Sequence, residues 1–452
     1  MVRDAKKNPS PALLGLCLAP SHFVTTQEQK ALTHVFESHH LDGEILINSK
    51  TLYVMASGAF KEIAYLTIKS DVREPHGGWY AQRETDDHYP LYLRELSHGR
   101  GVIFSSHSGV LVRSGLVTPC LLPTARAAVL QQGAAPQGLS LFGFVKELLP
   151  GHSAYFQDGK VEIHPINALE GQKKALGNVL PLRCEGLPAP HVPLGFFSQD
   201  LSASQFCLET LRRTHGDVKI YSLFFPDVEK GNKKKEVQDR PEITAKDHEL
   251  IPFTAKDFWR LMPEMAHACD ELICQPSILG AHMVGRSAVK DGRHMVIPTL
   301  EMPQKSPYFL KGYVDRLKRT TYQLEYDASL FKGATMKNPH TEGALKALLS
   351  QGLRVSIVPV CKPFLTRRSS SPYENLIRVW IQEKNHRLAS LMARQECILE
   401  LMPREEIKDL FVQRDKKSLF VAWELIFYAL WHQIYIQGRD PIPDTLAMLA
   451  RT

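Results

Sequence analysis

Pro193-Leu-Gly-Phe-Phe-Ser-Gln-Asp-Leu-Ser-Ala-Ser204 is the stretch on which the fold turns. Phe196-Phe197 is short and apolar, and it gives way at once to small polar residues. Gln205-Phe-Cys-Leu-Glu-Thr-Leu211 then sets apolar side chains at helical spacing, and Val218-Lys-Ile-Tyr-Ser-Leu-Phe-Phe225 reads as a strand. Strand, polar turn, helix and strand of this length predict a βαβ unit and therefore a parallel sheet. Such a turn brings small residues and a helix N-terminus to one place. There, free N–H groups and the positive dipole end suit a phosphate.

Upstream the pattern differs. Residues 11 to 165 read as β-rich. Ile45-Leu-Ile47, Asn48-Ser49 and Thr51-Leu-Tyr-Val54 predict a hairpin, as do Ser153-Ala-Tyr-Phe156, Asp158-Gly159 and Val161-Glu-Ile163. Ile63–Ile68 and Gly101–Ser105 are further short strands. Residues 166–192, rich in Gly, Pro and polar groups and closing on Pro188-Ala-Pro-His-Val192, read as a linker. Downstream, Phe258–Cys269, Thr341–Leu349 and Leu376–Met402 read as helices, and Met295-Val-Ile297 as a strand. β-rich, then α/β, then helical predicts two domains, 1–165 and 193–452.

Bulk composition narrows the class. A chain of 452 residues with 44% hydrophobic and 23% charged residues suits two globular cores. The net charge of +7 is modest, and Lys230-Gly-Asn-Lys-Lys-Lys235 reads as a solvated loop. With no aromatic-interleaved basic motif, a nucleic-acid partner is not expected. The cysteines are scattered without C-x-x-C pairs, which predicts buried reduced thiols rather than structural zinc. Leu419–Ile436 is the most apolar stretch, but it carries Glu424 and His432 and reads as a buried helix, not a membrane span. The first residues lack a signal-peptide core, so a cytoplasmic location is expected. Neither G-x-S-x-G nor H-E-x-x-H spacing is present.

Several segments, in order, resemble the asparagine synthetase superfamily, which includes β-lactam synthetases and lasso-peptide cyclases. Ser198-Gln-Asp-Leu-Ser-Ala-Ser204 is similar to that family's S-G-G-x-D-S-S loop. Ser198 and Ser204 match; Gln199 and Asp200 stand at both glycines, and Ser202 at the aspartate. Cys269-Asp-Glu-Leu-Ile-Cys-Gln-Pro-Ser277 resembles its D-E-P-x-x-D-P-S segment through Asp270, Glu271, Pro276 and Ser277. Val314-Asp-Arg316 with Leu324-Glu325, Gly101–Leu111 and Leu141–His152 are similar to further segments. Val360-Cys-Lys-Pro-Phe364 resembles the stretch holding the family's catalytic lysine. The family's acidic loop should follow Met295-Val-Ile297, and there Glu301 alone is placed to bind a metal.

The resemblance implies an Ntn-type αββα sandwich, then an adenine-nucleotide α-hydrolase-like parallel-sheet domain with a helical C-terminus. It implies ATP and magnesium as cofactors and amide-bond formation by carboxylate adenylation. Ser198, Ser202 and Ser204 would contact phosphate, Asp270 and Glu271 would shape the nucleotide site, and Lys362 would stabilise the developing oxyanion. Glutamine-hydrolysing members need a cysteine as the mature first residue. Here the second residue is Val2 and Cys17 lies inside an apolar run, so glutamine hydrolysis is not expected. The implied partner is a peptide or small natural-product precursor, together with a companion biosynthetic protein. The depleted loops leave one alternative: a pseudoenzyme of the same fold, without cofactors, that serves as a binding partner or scaffold.

Overall fold

The computed structural model describes residues 13–19, 21–38, 43–48, 52–57, 66–70, 79–83, 90–132, 135, 138–157, 159–166, 194–197, 217–227, 248–274, 276–293, 295–298, 354–355, 376, 379–413 and 416–451. It is a mixed α/β protein with antiparallel sheets and a helical C-terminal part. The chain divides into two compact units, one of Met1–Arg126 and Ala135–Arg183, the other of Ala127–Ala134 and Cys184–Thr452.

In the first unit β1 (Leu13–Leu18), β2 (Gly43–Asn48), β3 (Leu52–Ser57), β6 (Leu91–Glu95), β7 (Gly101–Ser105) and β8 (Lys146–Leu148) form one antiparallel sheet, in the order β2-β3-β1-β7-β6-β8. A second antiparallel sheet is ordered β10-β9-β5-β4, from β4 (Leu66–Ser70), β5 (Trp79–Arg83), β9 (His152–Gln157) and β10 (Lys160–Pro165). Side chains from both sheets make one core. Leu13, Cys17, Leu93 and Phe104 come from the first; Ala81, Ala154, Phe156 and Val161 from the second. The Phe104 and Phe156 rings stack at 5.7 Å. Gly15 shares the inward face of β1 with Leu13 and Cys17. A Cβ there would stand 2.1 Å from the Phe104 ring, so the absence of a side chain is what admits the phenylalanine.

The opposite face of β1, Leu14 and Leu16, is buried as well. Helix α2 (Ser108–Arg113) packs on β6 and β7, and α1 (Thr26–Ser38) touches α2. α1 was not foreseen from apolar spacing, yet Thr25 and Glu28 form a capping box. Glu28 Oε2 accepts from Thr25 N at 2.9 Å, and Thr25 Oγ1 accepts from Glu28 N at 3.2 Å. α3 (Pro123–Gln132) follows α2. Both expected hairpins form, β2–β3 and β9–β10, the latter with Gly159 at φ +76°.

In the second unit β11 (Leu194–Phe197), β12 (Val218–Phe224), β13 (His248–Pro252), β14 (Met295–Pro298) and β15 (Arg354–Val355) are ordered β13-β12-β11-β14-β15, each pair parallel. The expected parallel pairing of the strands around the opening stretch is therefore found, in β11 with β12. The helix expected between them, and the one expected at Thr341–Leu349, lie outside the described residues.

α4 (Ala255–Ala268) starts on a second capping box, Thr254 with Asp257, and α5 (Ser277–Lys290) leads to β14. The C-terminal part adds α6 (Asn385–Met392), α7 (Glu396–Leu399), α8 (Arg404–Val412), α9 (Lys416–Tyr435) and α10 (Thr445–Leu449). The single helix expected over Leu376–Met402 is instead broken. Turns fall at Glu383–Lys384 and Ala393–Arg394, and Gln395 is extended. The Gln395 amide donates to Leu449 O at 2.7 Å, and its oxygen accepts from Gln433 Nε2 at 2.9 Å. Those tertiary bonds hold this buried residue outside a helical path. Leu419–Ile436 is met by α9, buried on nearly every side. Among the described residues no helix is long and apolar enough to cross a membrane.

Candidate functional site

The order of the parallel sheet locates the site. From β11 the chain moves outward through β12 to β13, then returns to the other side of β11 for β14 and moves outward to β15. Between β11 and β14 the connections depart in opposite directions. In an open parallel sheet such a reversal leaves a crevice at the carboxyl ends of the strands, where ligands bind. Phe197, the last residue of β11, pairs with Pro298, the last of β14, so the two ends are level and about 4.8 Å apart.

The segments singled out by sequence continue from this edge. Ser198 is bonded to Phe197 and begins the stretch that holds Ser202 and Ser204. Glu301 follows the end of β14, and Lys362 comes seven residues after β15. These five residues lie outside the described residues. What the fold fixes is that the strands preceding them, β11, β14 and β15, are parallel neighbours.

Asp270 and Glu271 are described, and they belong to the connection leading into α5. The orientation of α5 follows from its far end. Asp291, just past the helix, pairs with Lys219, the second residue of β12, and accepts from Tyr221 Oη, at the middle of that strand, at 2.7 Å. Arg293 Nη1 lies 2.8 Å from Asp217 Oδ1, before that strand begins. α5 packs along β11, β12 and β13. Its 14 residues cover about 21 Å, close to the span of a seven-residue strand. Its first turn therefore stands at the carboxyl edge. Pro276 precedes it with no capping side chain, and Leu279 N donates to Pro276 O at 3.2 Å, so Ser277 and Ile278 are the first-turn residues whose N–H groups have no acceptor within the helix.

The acidic pair does not point into solvent. Asp270 is 2% exposed and Glu271 4%. Asp270 has φ +47°, a left-handed conformation that aspartate tolerates better than most residues. The reason is local: its Oδ1 accepts from Glu271 N at 2.8 Å, closing the turn on itself. The carboxylate of Asp270 thus builds the connection.

α9 holds this connection from behind. Trp431 Nε1 donates to Asp270 O at 2.7 Å, and Trp423 Nε1 donates to Cys274 O at 3.4 Å. Between those two indoles in sequence lies Glu424, 3% exposed, whose Oε2 finds no hydrogen-bond partner among the described residues. Burial pushes its carboxyl well above the usual range. Cys274 is fully buried; burial, then the neighbouring Glu424, push its thiol well up. Sequence reading used Glu424 to argue against a membrane span and missed this placement. Its signal was a lone acid in an otherwise apolar helix.

The opposite edge of the sheet is closed by ions. Lys219 Nζ lies 2.7 Å from Glu249 and also meets Asp291, beneath the strands. In the first unit Cys17 is the penultimate residue of β1, paired with Leu52 of β3 and Val102 of β7. It is 6% exposed, and burial pushes its thiol up to about 12.

No protein-family model matches the chain, and no curated protein matches it significantly. The class defined by the fold is a mixed α/β protein of two compact units. Its second unit carries a parallel sheet whose order reverses between β11 and β14.

Proposed function

We propose that the second unit binds ATP at the β11–β14 reversal and forms an amide bond by adenylating a carboxylate, as an asparagine synthetase-like domain. The single observation carrying this reading is that reversal; in sequence, Ser198 follows β11, Glu301 follows β14 and Lys362 follows β15, the three strands being parallel neighbours. ATP supplies the activating group and magnesium offsets its charge. Ser198, Ser202 and Ser204, with the uncapped first turn of α5, would hold phosphate. Lys362 would neutralise the charge that develops when an amine attacks the activated carbonyl. Asp270 and Glu271, both buried in the connection leading to α5, would shape the nucleotide site.

The amine comes from the substrate itself, a peptide or small natural-product precursor. Glutamine does not supply it, because the Cys17 thiol is buried in β1 and held protonated. The two face-to-face antiparallel sheets of the first unit support reading it as an Ntn-type sandwich without that chemistry. A second reading is favoured by Gln199-Asp200. These residues bring side chains and a negative charge to the place where backbone should approach phosphate. On that reading the unit is a scaffold for a companion protein and needs no cofactor.

Titration of labelled ATP with magnesium, followed by ATP–pyrophosphate exchange with candidate carboxylates, separates the two. Binding with exchange that disappears in a folded Lys362→Ala variant is the result expected of the ligase. Absence of binding at millimolar ATP refutes it and leaves the scaffold.

A further inference from the structure

Glu424 is the one carboxyl of α9. It is 3% exposed, and its Oε2 has no hydrogen-bond partner among the described residues. Its sequence neighbour Trp423 donates to Cys274 O at 3.4 Å, and the Cys274 thiol is close enough for Glu424 to hinder its ionisation. The acid therefore lies where α9 meets the 270–274 turn. No counter-charge faces it there. The turn's other titratable groups, Asp270 and Glu271, are acids. No charged side chain of α4, α6, α7 or α8 is buried, and α10 has none. α4 sets Glu264 against His282 of α5 and His267 against Tyr435. The one buried titratable group of α7 is the Cys397 thiol.

An ionised carboxylate does not stay unpaired in such a place: it is neutral, or it reaches water. α9 satisfies its own backbone and is buried on nearly every side. The turn is irregular, and of its two indole bonds the one beside Glu424 is the longer, 3.4 Å against 2.7 Å at Trp431. Displacing the turn therefore brings water to the carboxyl at less cost than unwinding the helix.

We propose that Glu424 is a proton-controlled latch: protonated, it lets the 270–274 turn close on α9, and on losing its proton it releases the turn while the rest of the second unit stays folded. The latch needs no ligand and stands apart from the nucleotide-binding reading. In the closed form the carboxyl keeps its proton. In the open form, in water, it titrates near the ordinary value of about 4.3. Opening therefore becomes about tenfold more favourable for each pH unit above that value.

Hydrogen exchange at the Trp423 indole N–H and the Glu271 amide, both bonded in the closed turn, reads the opening. It is measured in full-length wild type and Glu424→Gln across mildly acidic to neutral pH, with and without a low concentration of urea. Dividing the wild-type rate by the variant rate at each pH removes the intrinsic pH dependence of exchange. That ratio should rise about tenfold per pH unit. Urea should leave the rates at the turn nearly unchanged, because a local opening exposes little surface, while amides of β12 quicken with it. A flat ratio overturns the latch. So does exchange at the turn that follows urea as β12 does, since Glu424 then ionises only when the whole unit unfolds. Should Glu424→Gln not fold, Glu424→Leu, close in volume and unable to ionise, takes its place with the same outcomes.

Discussion

Glu424→Gln should make the second unit's stability less sensitive to pH, and the direction can be worked out from burial. Glu424 lies 3% exposed in α9, and desolvation raises its folded-state pKa well above the usual value. In the unfolded chain the same group titrates near 4.3. Above about pH 4.3 the unfolded state therefore releases a proton that the folded state retains. Stability falls as pH rises through that window, until the raised folded-state pKa is reached. The slope is at most about 1.4 kcal/mol per pH unit for one proton, so between pH 5 and 7 the loss is at most about 2.8 kcal/mol. Glutamine matches the neutral acid in shape and cannot ionise. It does bring an amide into a buried place, at a cost independent of pH. The informative quantity is thus the slope and not the offset at one pH. Denaturant unfolding followed by tryptophan fluorescence from pH 5 to 7.5 measures it. Four of the five tryptophans, Trp259, Trp380, Trp423 and Trp431, belong to the second unit. Wild type should lose stability across this range relative to Glu424→Gln. Parallel curves would refute the assignment of a neutral buried acid at this position.

Two smaller expectations concern the first unit. Gly15→Ala places a methyl group 2.1 Å from the Phe104 ring and should destabilise by about 1–3 kcal/mol, with Phe104→Leu in the same chain recovering part of the loss; a neutral Gly15→Ala in thermal unfolding would contradict the packing. Cys17, with its thiol pushed up to about 12, should resist iodoacetamide at pH 8 in the native protein and react on unfolding; peptide mapping that finds native labelling at Cys17 would contradict its burial.

Strands were legible where local chemistry decides them. Gly101–Ser105 keeps the bounds read from sequence, and Asp158-Gly159 marks a turn because a left-handed residue is needed there. The Thr254–Asp257 and Thr25–Glu28 capping boxes are equally local; α1 was within reach of the sequence but hidden because its apolar spacing is weak. The failure at Leu376–Met402 is of another kind. Apolar spacing continues through Gln395, and what takes that residue out of the helix is a pair of bonds to Gln433 and Leu449, 38 and 54 residues away. No window along the chain contains both partners.

The same limit governs the site. Asp270 and Glu271 were legible as an acidic pair before a Pro-Ser helix start, a pattern that invites reading them as ligands. Both are buried, and part of the cause lies in residues outside the pattern. Asp270 Oδ1 is used by the next amide, its carbonyl by Trp431, and the far end of the turn by Trp423. On the proposed nucleotide reading, the donors would be backbone N–H groups of α5 and the serines that follow β11 in sequence. Asp270 would act there through the turn it closes. Asp270→Asn, which keeps an oxygen able to accept from Glu271 N, should therefore bind ATP much as wild type does in the same titration.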